Sequence, residues 1–244
     1  MRHNRGRDGK PDESSLARES VDGEPGDSQA CPAGNLPQGG QAGLSSAGIP
    51  EAPCPVPGEP DFLELLERSG ALRKGHFRLS SGRHSDTYIQ CALLLRDPGA
   101  ALAAGRAIAR ISPPGVDLVL SPALGGVIIG FAVACAMERP MMFAERHQGT
   151  LALRRGFRLE SGTRVLLVED VITTGGSIME LSDLAGSAGA EVAGLACLVE
   201  RGGGIEPGVP LSRLVRVQAA SWDPRECPLC AAGEEVDSPG SRYR

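Results

Sequence analysis

Val165-Leu166-Leu167-Val168-Glu169-Asp170-Val171-Ile172-Thr173-Thr174-Gly175-Gly176-Ser177 is the stretch from which the rest of the chain can be read. Its first four residues are apolar and partly β-branched, without polar alternation. That is the pattern of a central strand covered on both faces in a parallel sheet. Two carboxylates follow. Thr173 to Ser177 then supplies two glycines and several hydroxyls ahead of a helix-like run, Ile178 to Ala188, which Ser177 is placed to cap. Backbone N–H groups at such a helix start, with no side chain in the way, suit a phosphate monoester. Carboxylates beside a phosphate would repel the ligand unless they face another part of it, and ribose hydroxyls meet that need. Successive side chains diverge on an extended chain, so Glu169 and Asp170 reach the sugar singly or together from the mouth of the strand. The ligand read here is a sugar 5-phosphate with free hydroxyls. The ligand-free alternative is a buried strand, an exposed Glu-Asp turn and an ordinary helix start. The stretch contains no Gly-Lys-Ser/Thr and no Gly-x-Gly-x-x-Gly opening a helix, which excludes both nucleotide motifs here.

These residues resemble the phosphoribosyl-pyrophosphate (PRPP) signature of the type I phosphoribosyltransferases. The resemblance implies that Glu169 and Asp170 hold the ribose hydroxyls. It also implies that Val171, Ile172, Thr173, Thr174, Gly175, Gly176 and Ser177 form the loop around the 5-phosphate.

Composition sets the outer bounds. The chain has 244 residues and a net charge of −5, which argues against nonspecific nucleic-acid binding through bulk charge. Lysine is confined to Lys10 and Lys74, so arginine carries nearly all the positive charge. The apolar run Val127 to Met137 is too short to span a bilayer and reads as a buried helix. No hydrophobic segment follows the basic start at 1–10, so a cytoplasmic protein is expected. Seven scattered cysteines fit reduced thiols better than a disulfide framework. Residues 1–60, rich in Gly, Pro, Ser, Asp and Glu, bury too little apolar surface to offset ordering entropy and are expected to be disordered. Cys31 and Cys54 within them read as unpartnered thiols.

The folded region is expected over 61–230. Asp61 can cap a helix carrying Phe62, Leu65 and Leu66 at helical spacing. Residues 75–90 read as two short strands joined by Ser80-Ser81-Gly82. Asp97-Pro98 starts a helix through Ile111. Asp117 to Ser121 reads as a second buried strand, and its loop Pro122-Ala123-Leu124-Gly125-Gly126 feeds the helix from Val127, a second place for an anion. Met141 to Glu145 forms a third strand. Arg146 to Phe157 then forms a connection with Arg146, Arg154 and Arg155 as its cations, either an exposed basic hairpin or a lid over a leaving anion. His147 is the one neighbour there that titrates near neutral pH. Glu191 to Arg201 and Leu211 to Ala220 give further strands, the latter placing Trp222 near the sheet's end. Cys227-Pro228-Leu229-Cys230 has the spacing of half a zinc knuckle. It reads as a free-thiol turn in preference to a metal site shared with another residue or subunit, and no protein metal ligand is assigned. Residues 231–244 are expected to form a flexible tail.

The segment 75–90 is similar to the N-terminal hood of orotate phosphoribosyltransferases in its pattern Phe-x-Leu-x-Ser-Gly-Arg-x-Ser-x-x-Tyr. Family members often carry lysine where Ser80 stands, and usually place lysines and a histidine in a longer version of the loop at 146–157. Across 61–230 this resemblance implies an α/β fold with a mostly parallel sheet flanked by helices and a small N-terminal hood. Pyrophosphate would lie on main chain around Leu124 and Gly125. Arg146 would serve as the loop cation, and Asp170, Glu169 and Arg146 are the candidate catalytic residues. Arg201 would grip the orotate carboxylate, with Thr173 as a second orotate contact. It further implies Mg2+ carried with PRPP, a homodimer, and small-molecule substrates orotate and PRPP with neither nucleic acid nor membrane as partner. A phosphoribosyltransferase for another base and a PRPP-sensing regulator without turnover remain the alternatives.

Overall fold

A computed structural model of the chain describes residues 60–202 and 205–239, all within one unit running from Gly48 to Arg244. Apart from Pro60, the extension expected to be disordered lies outside the described residues, as do Cys31 and Cys54.

Asp61 caps α1 (Phe62–Arg68) as expected, its carboxylate accepting the Leu63 and Glu64 amides at 2.8 and 3.2 Å. β1 (Leu72–Arg78) and β2 (His84–Ile89) pair antiparallel through the glycine-containing turn, and short α2 (Ala92–Leu95) leads into α3 (Pro98–Ile111). Asp97 caps α3 through the Ala100 amide, and proline occupies the first turn, where its missing N–H is no loss. β3 (Leu118–Pro122), α4 (Gly125–Met137), β4 (Met141–His147), β5 (Thr150–Leu153) and β6 (Arg164–Ile172) follow. The chain continues through α5 (Gly176–Ser187), β7 (Glu191–Arg201), β8 (Leu211–Val217), β9 (Ser221–Trp222) and α6 (Pro228–Ala231).

Six strands form one sheet in the order β5-β4-β3-β6-β7-β8, parallel throughout except for the β4–β5 hairpin at its edge. β6 sits inside the sheet, which explains its unbroken apolar sequence: both of its faces are covered. Leu166 and Val168 pack with Ala104 and Ile108 of α3 and Ile129 and Val133 of α4 on one side. Val165 and Leu167 pack with Ile178, Leu181 and Ala185 of α5 on the other. Helices α3 and α4 cross so closely that a Cβ on Gly105 would collide with the Ala132 backbone. A second sheet, β1-β2-β9, is the expected hood. Trp222 therefore does not end the main sheet but pairs with His84 in the hood.

Local departures from expectation have local causes. Ser177 does not cap α5; Gly175 does, at φ 80°, a left-handed geometry that suits glycine, so the cap carries no side-chain bond. The 146–157 connection begins as a hairpin, its turn made by Gln148 and Gly149 at φ 51° and 91°. The start of the expected tail is tied to the hood: Asp237 exchanges backbone bonds with His76 and Arg78 at 2.8 Å each, and its carboxylate pairs with Arg73 at 2.8 Å.

Candidate active site

Both helix N-termini that the sequence marks as anion sites open at the carboxyl end of β6, where parallel sheets gather their ligands. The α5 turn continues directly from the strand. The α4 turn is held against it: a Cβ on Gly126 would lie 3.0 Å from the Val168 carbonyl, and one on Gly125 would lie 2.5 Å from Asp170 Oδ1. The Asp170 carboxylate thus borders the Leu124–Gly125 loop. The Ala123–Leu124 peptide there is cis.

A cleft of about 390 Å³ opens beside this junction, lined by Arg146, Glu169, Val171, the whole turn from Thr173 to Ser177, and Glu180. The first-turn amides of α5 have no carbonyl of their own helix to bond. Among the described residues, no hydrogen bond engages the Thr173, Thr174 or Ser177 hydroxyls. The cleft is therefore lined with uncommitted donors at the positive end of a helix. Ile172 is the exception among the expected loop residues: its side chain is buried in the core, and only its main chain can face a ligand.

The two acids sit in this low-dielectric corner. Burial, then the Asp170 charge, push the Glu169 carboxyl up to about 8, with Arg146 opposing. Burial also raises Asp170, against hydrogen bonds from backbone N–H groups that favour its ionised form.

Of the three loop arginines, only Arg146 reaches the cleft. It donates to the Gly149 carbonyl at 2.7 Å and pairs with Glu180 at 2.9 Å. Glu180 also accepts the Leu151 amide at 2.6 Å, and this bond, ahead of Arg146, holds its carboxyl below the usual range. Nothing in the sequence marks Glu180, because its partners come from a hairpin about thirty residues away. Arg154 and Arg155 turn instead to Glu145, at 3.9 and 3.0 Å. His147 lies outside the cleft lining, its Nδ1 3.4 Å from Arg154 Nη1.

Arg201 lies at the mouth of β7. Ile172 and Glu200 are paired across β6 and β7, so the next residues along the two strands are Thr173 and Arg201. Glu200 is buried and held by Arg213 and Arg216 at 2.9 and 3.6 Å. Alternation sends Arg201 to the opposite face. There one Nη2 donates to Ser85 Oγ at 2.7 Å, while its Nε is buried without a hydrogen-bond partner among the described residues. Ser85 is itself fixed by donating to the Ala220 carbonyl at 2.6 Å. Sequence reading singles out Arg201 but carries Ser85 only inside the hood pattern, without a role; it reaches Arg201 because the hood folds over the strand end.

Residues 95–217 match the family model described as the phosphoribosyl transferase domain. The chain is 43% identical over 184 residues to orotate phosphoribosyltransferase of Pelotomaculum thermopropionicum, covering 75% of this chain and 97% of that protein. It is 42% identical over 181 residues to that of Thermotoga maritima, covering 73% and 97%. Among solved structures, orotate phosphoribosyltransferase from Aeropyrum pernix superposes with a TM-score of 0.54 at 28% identity, over 63% of this chain and 92% of that one. The Mycobacterium tuberculosis enzyme in complex with inorganic phosphate gives 0.51 at 25% identity, over 64% and 95%.

Proposed function

The chain belongs to the phosphoribosyl transferase family, and from that premise we infer its reaction. It is an enzyme that transfers the phosphoribosyl group of PRPP to orotate, giving orotidine 5-phosphate and pyrophosphate in de novo pyrimidine (UMP) biosynthesis.

The residue roles rest on the site's chemistry. The amides and hydroxyls of Thr173 to Ser177 take the 5-phosphate, and Glu169 and Asp170 take the ribose hydroxyls. Main chain at Leu124 and Gly125, next to the Asp170 carboxylate, takes pyrophosphate. As the glycosidic bond breaks, positive charge grows at the anomeric carbon and negative charge on pyrophosphate. The two carboxylates stabilise the first and Arg146 the second. Arginine stays charged at all working pH values, so Arg146 serves as an electrostatic clamp and not as a proton donor. Arg201 and Thr173 orient orotate.

The oxygen donors of Glu169 and Asp170 fit Mg2+ arriving with PRPP, since this ion prefers hard ligands and keeps several waters. Bound, it would neutralise charge on the departing pyrophosphate. Two features support further readings. Leu124, the N-cap of α4, and Ile128 and Phe131 within the helix are 86, 46 and 61% exposed along one stripe, a surface suited to a second copy of the chain in a homodimer. No helix among the described residues is long and apolar enough to cross a membrane, consistent with a cytoplasmic enzyme acting on small molecules.

The unpartnered, buried Arg201 Nε carries the choice of orotate. A guanidinium fixed on one side and unsatisfied on the other matches a base that bears a carboxylate. The test follows loss of orotate's ultraviolet absorbance on adding PRPP and magnesium, alongside a panel of other bases. Arg201→Ala should raise the orotate KM by at least about tenfold, the scale of a lost charge-assisted hydrogen bond, and leave PRPP affinity unchanged. Turnover of another base in preference to orotate, or PRPP binding without turnover, would reject this reading. Unaltered orotate kinetics in Arg201→Ala would reject the base-site assignment alone.

A further inference from the structure

His76 on β1, His84 on β2 and the pair Cys227 and Cys230 flanking the start of α6 converge on one point, with one ligand atom from each lying within 4.8 Å of every other. His76, His84 and Cys227 are buried, and Cys230 closes the cluster from the surface. His76 Nε2 and His84 Nδ1 are 2.9 Å apart; Cys227 Sγ is 3.4 Å and Cys230 Sγ 3.7 Å from His76 Nε2; Cys230 Sγ is 3.2 Å from His84 Nδ1. A tetrahedron built with Zn–N and Zn–S bonds of about 2.0–2.3 Å has edges of roughly 3.3–3.8 Å between ligand atoms, the range these separations occupy to within a few tenths of an ångström.

We propose that these four side chains bind a structural Zn2+ ion that clasps the C-terminal turn to the hood. Two thiolates and two imidazoles form the donor set that selects zinc over hard cations such as Mg2+, and four protein ligands leave no open position for catalysis. The surroundings are those of a metal-bound histidine. His76 Nδ1 lies 3.0 Å from the Glu234 carbonyl, and donating its N–H there turns the Nε2 lone pair into the cluster. The turn that supplies that carbonyl is built by the cysteine segment itself: Gly233, at φ 77°, donates to the Cys230 carbonyl at 3.0 Å, and Glu234 to that of Leu229 at 3.0 Å. Binding replaces the two thiol protons, so about two protons leave as the ion enters. The clasp joins residues far apart in sequence, and such cross-links contribute most where the loop they close is long. It also holds the strand that carries Ser85, next in sequence to His84 and bonded to Arg201.

The test uses full-length protein without a histidine tag, purified without chelator and assayed for metal by plasma mass spectrometry. The expected content is about one zinc ion per chain, removed by a strong chelator with a fall in the thermal midpoint and restored by zinc but not by magnesium. Cobalt substituted for zinc should give the intense visible bands of a tetrahedral site and a thiolate charge-transfer band. Cys227→Ser/Cys230→Ser and His76→Ala should lose the metal, whereas Cys135→Ser, at an exposed thiol on α4, should keep it. Should the variants fail to fold, wild-type metal content and the cobalt spectrum decide. A metal-free wild-type protein that also refuses zinc, a cobalt complex without thiolate bands, or a native Cys227–Cys230 disulfide in peptide mass spectra overturns the proposal.

Discussion

The Asp170 carboxylate borders the Leu124–Gly125 loop, and the proposed function puts the ribose hydroxyls against it. Asp170→Asn keeps the shape and removes the charge. Isothermal titration should show PRPP·Mg2+ binding weakened by roughly tenfold to a hundredfold, the scale of a lost charge-assisted hydrogen bond at about 1.5–3 kcal/mol. Glu169 makes a separate, pH-dependent prediction. Its folded-state carboxyl lies at about 8, raised from 4.5 chiefly by burial, so the folded protein without ligand holds a proton that the unfolded chain releases. Its contribution to stability is therefore full below the unfolded value and is lost as pH rises from 4.5 through about 8. The ionised form is the better acceptor for ribose hydroxyls and Mg2+, so PRPP·Mg2+ binding should release protons and strengthen toward pH 8. Glu169→Gln should flatten both trends. Equal calorimetric heats in buffers of different ionisation enthalpy, meaning no proton release, would contradict this account.

At the scale of elements, the site depends on how closely helices approach the sheet. The crossing of α3 and α4 leaves no room for a methyl group at Gly105, and α4 in turn brings the Leu124–Gly125 loop to Asp170. Gly105→Ala gains helix propensity but overpacks the crossing. The net expectation is a loss of about 1–3 kcal/mol, visible as a lower midpoint in urea unfolding with the slope unchanged. A neutral or stabilising outcome would mean that the two helices can separate without cost. The β4–β5 hairpin illustrates what spacing alone hides. Spacing offers Arg146, Arg154 and Arg155 as cations, with Arg146 the one the family resemblance favours; in the fold Arg146 reaches Glu180 of α5, while Glu145 holds the other two.

Across the whole molecule, the relatives are matched over nearly their full length by about three quarters of this chain, and the phosphoribosyl transferase domain falls on residues 95–217. The proposed homodimer has its test at the α4 stripe: the wild-type chain should sediment as a dimer and Phe131→Glu as a monomer, a persistent dimer would move the interface elsewhere, and a monomeric wild type would reject the dimer. The β6 strand, the acidic pair and the glycine turn are legible from sequence because local chemistry dictates them: an unbroken apolar run needs two covered faces, and glycines ahead of a helix leave its first amides approachable, although the cap falls on Gly175 and not on Ser177. The strands starting at Leu118, Met141, Glu191 and Leu211 and the helices capped by Asp61 and Asp97 follow from the same local rules, whereas α2 and β9 do not. What sequence could not supply was convergence. Ser85 meets Arg201, Glu180 meets Arg146, and two histidines meet two cysteines about 150 residues away, because the hood folds over the sheet and the C-terminal turn packs against the hood. Neighbour interactions write periodicity, caps and turns into short stretches of chain, whereas long-range side-chain meetings are fixed only when burial of the shared core selects one arrangement of those elements.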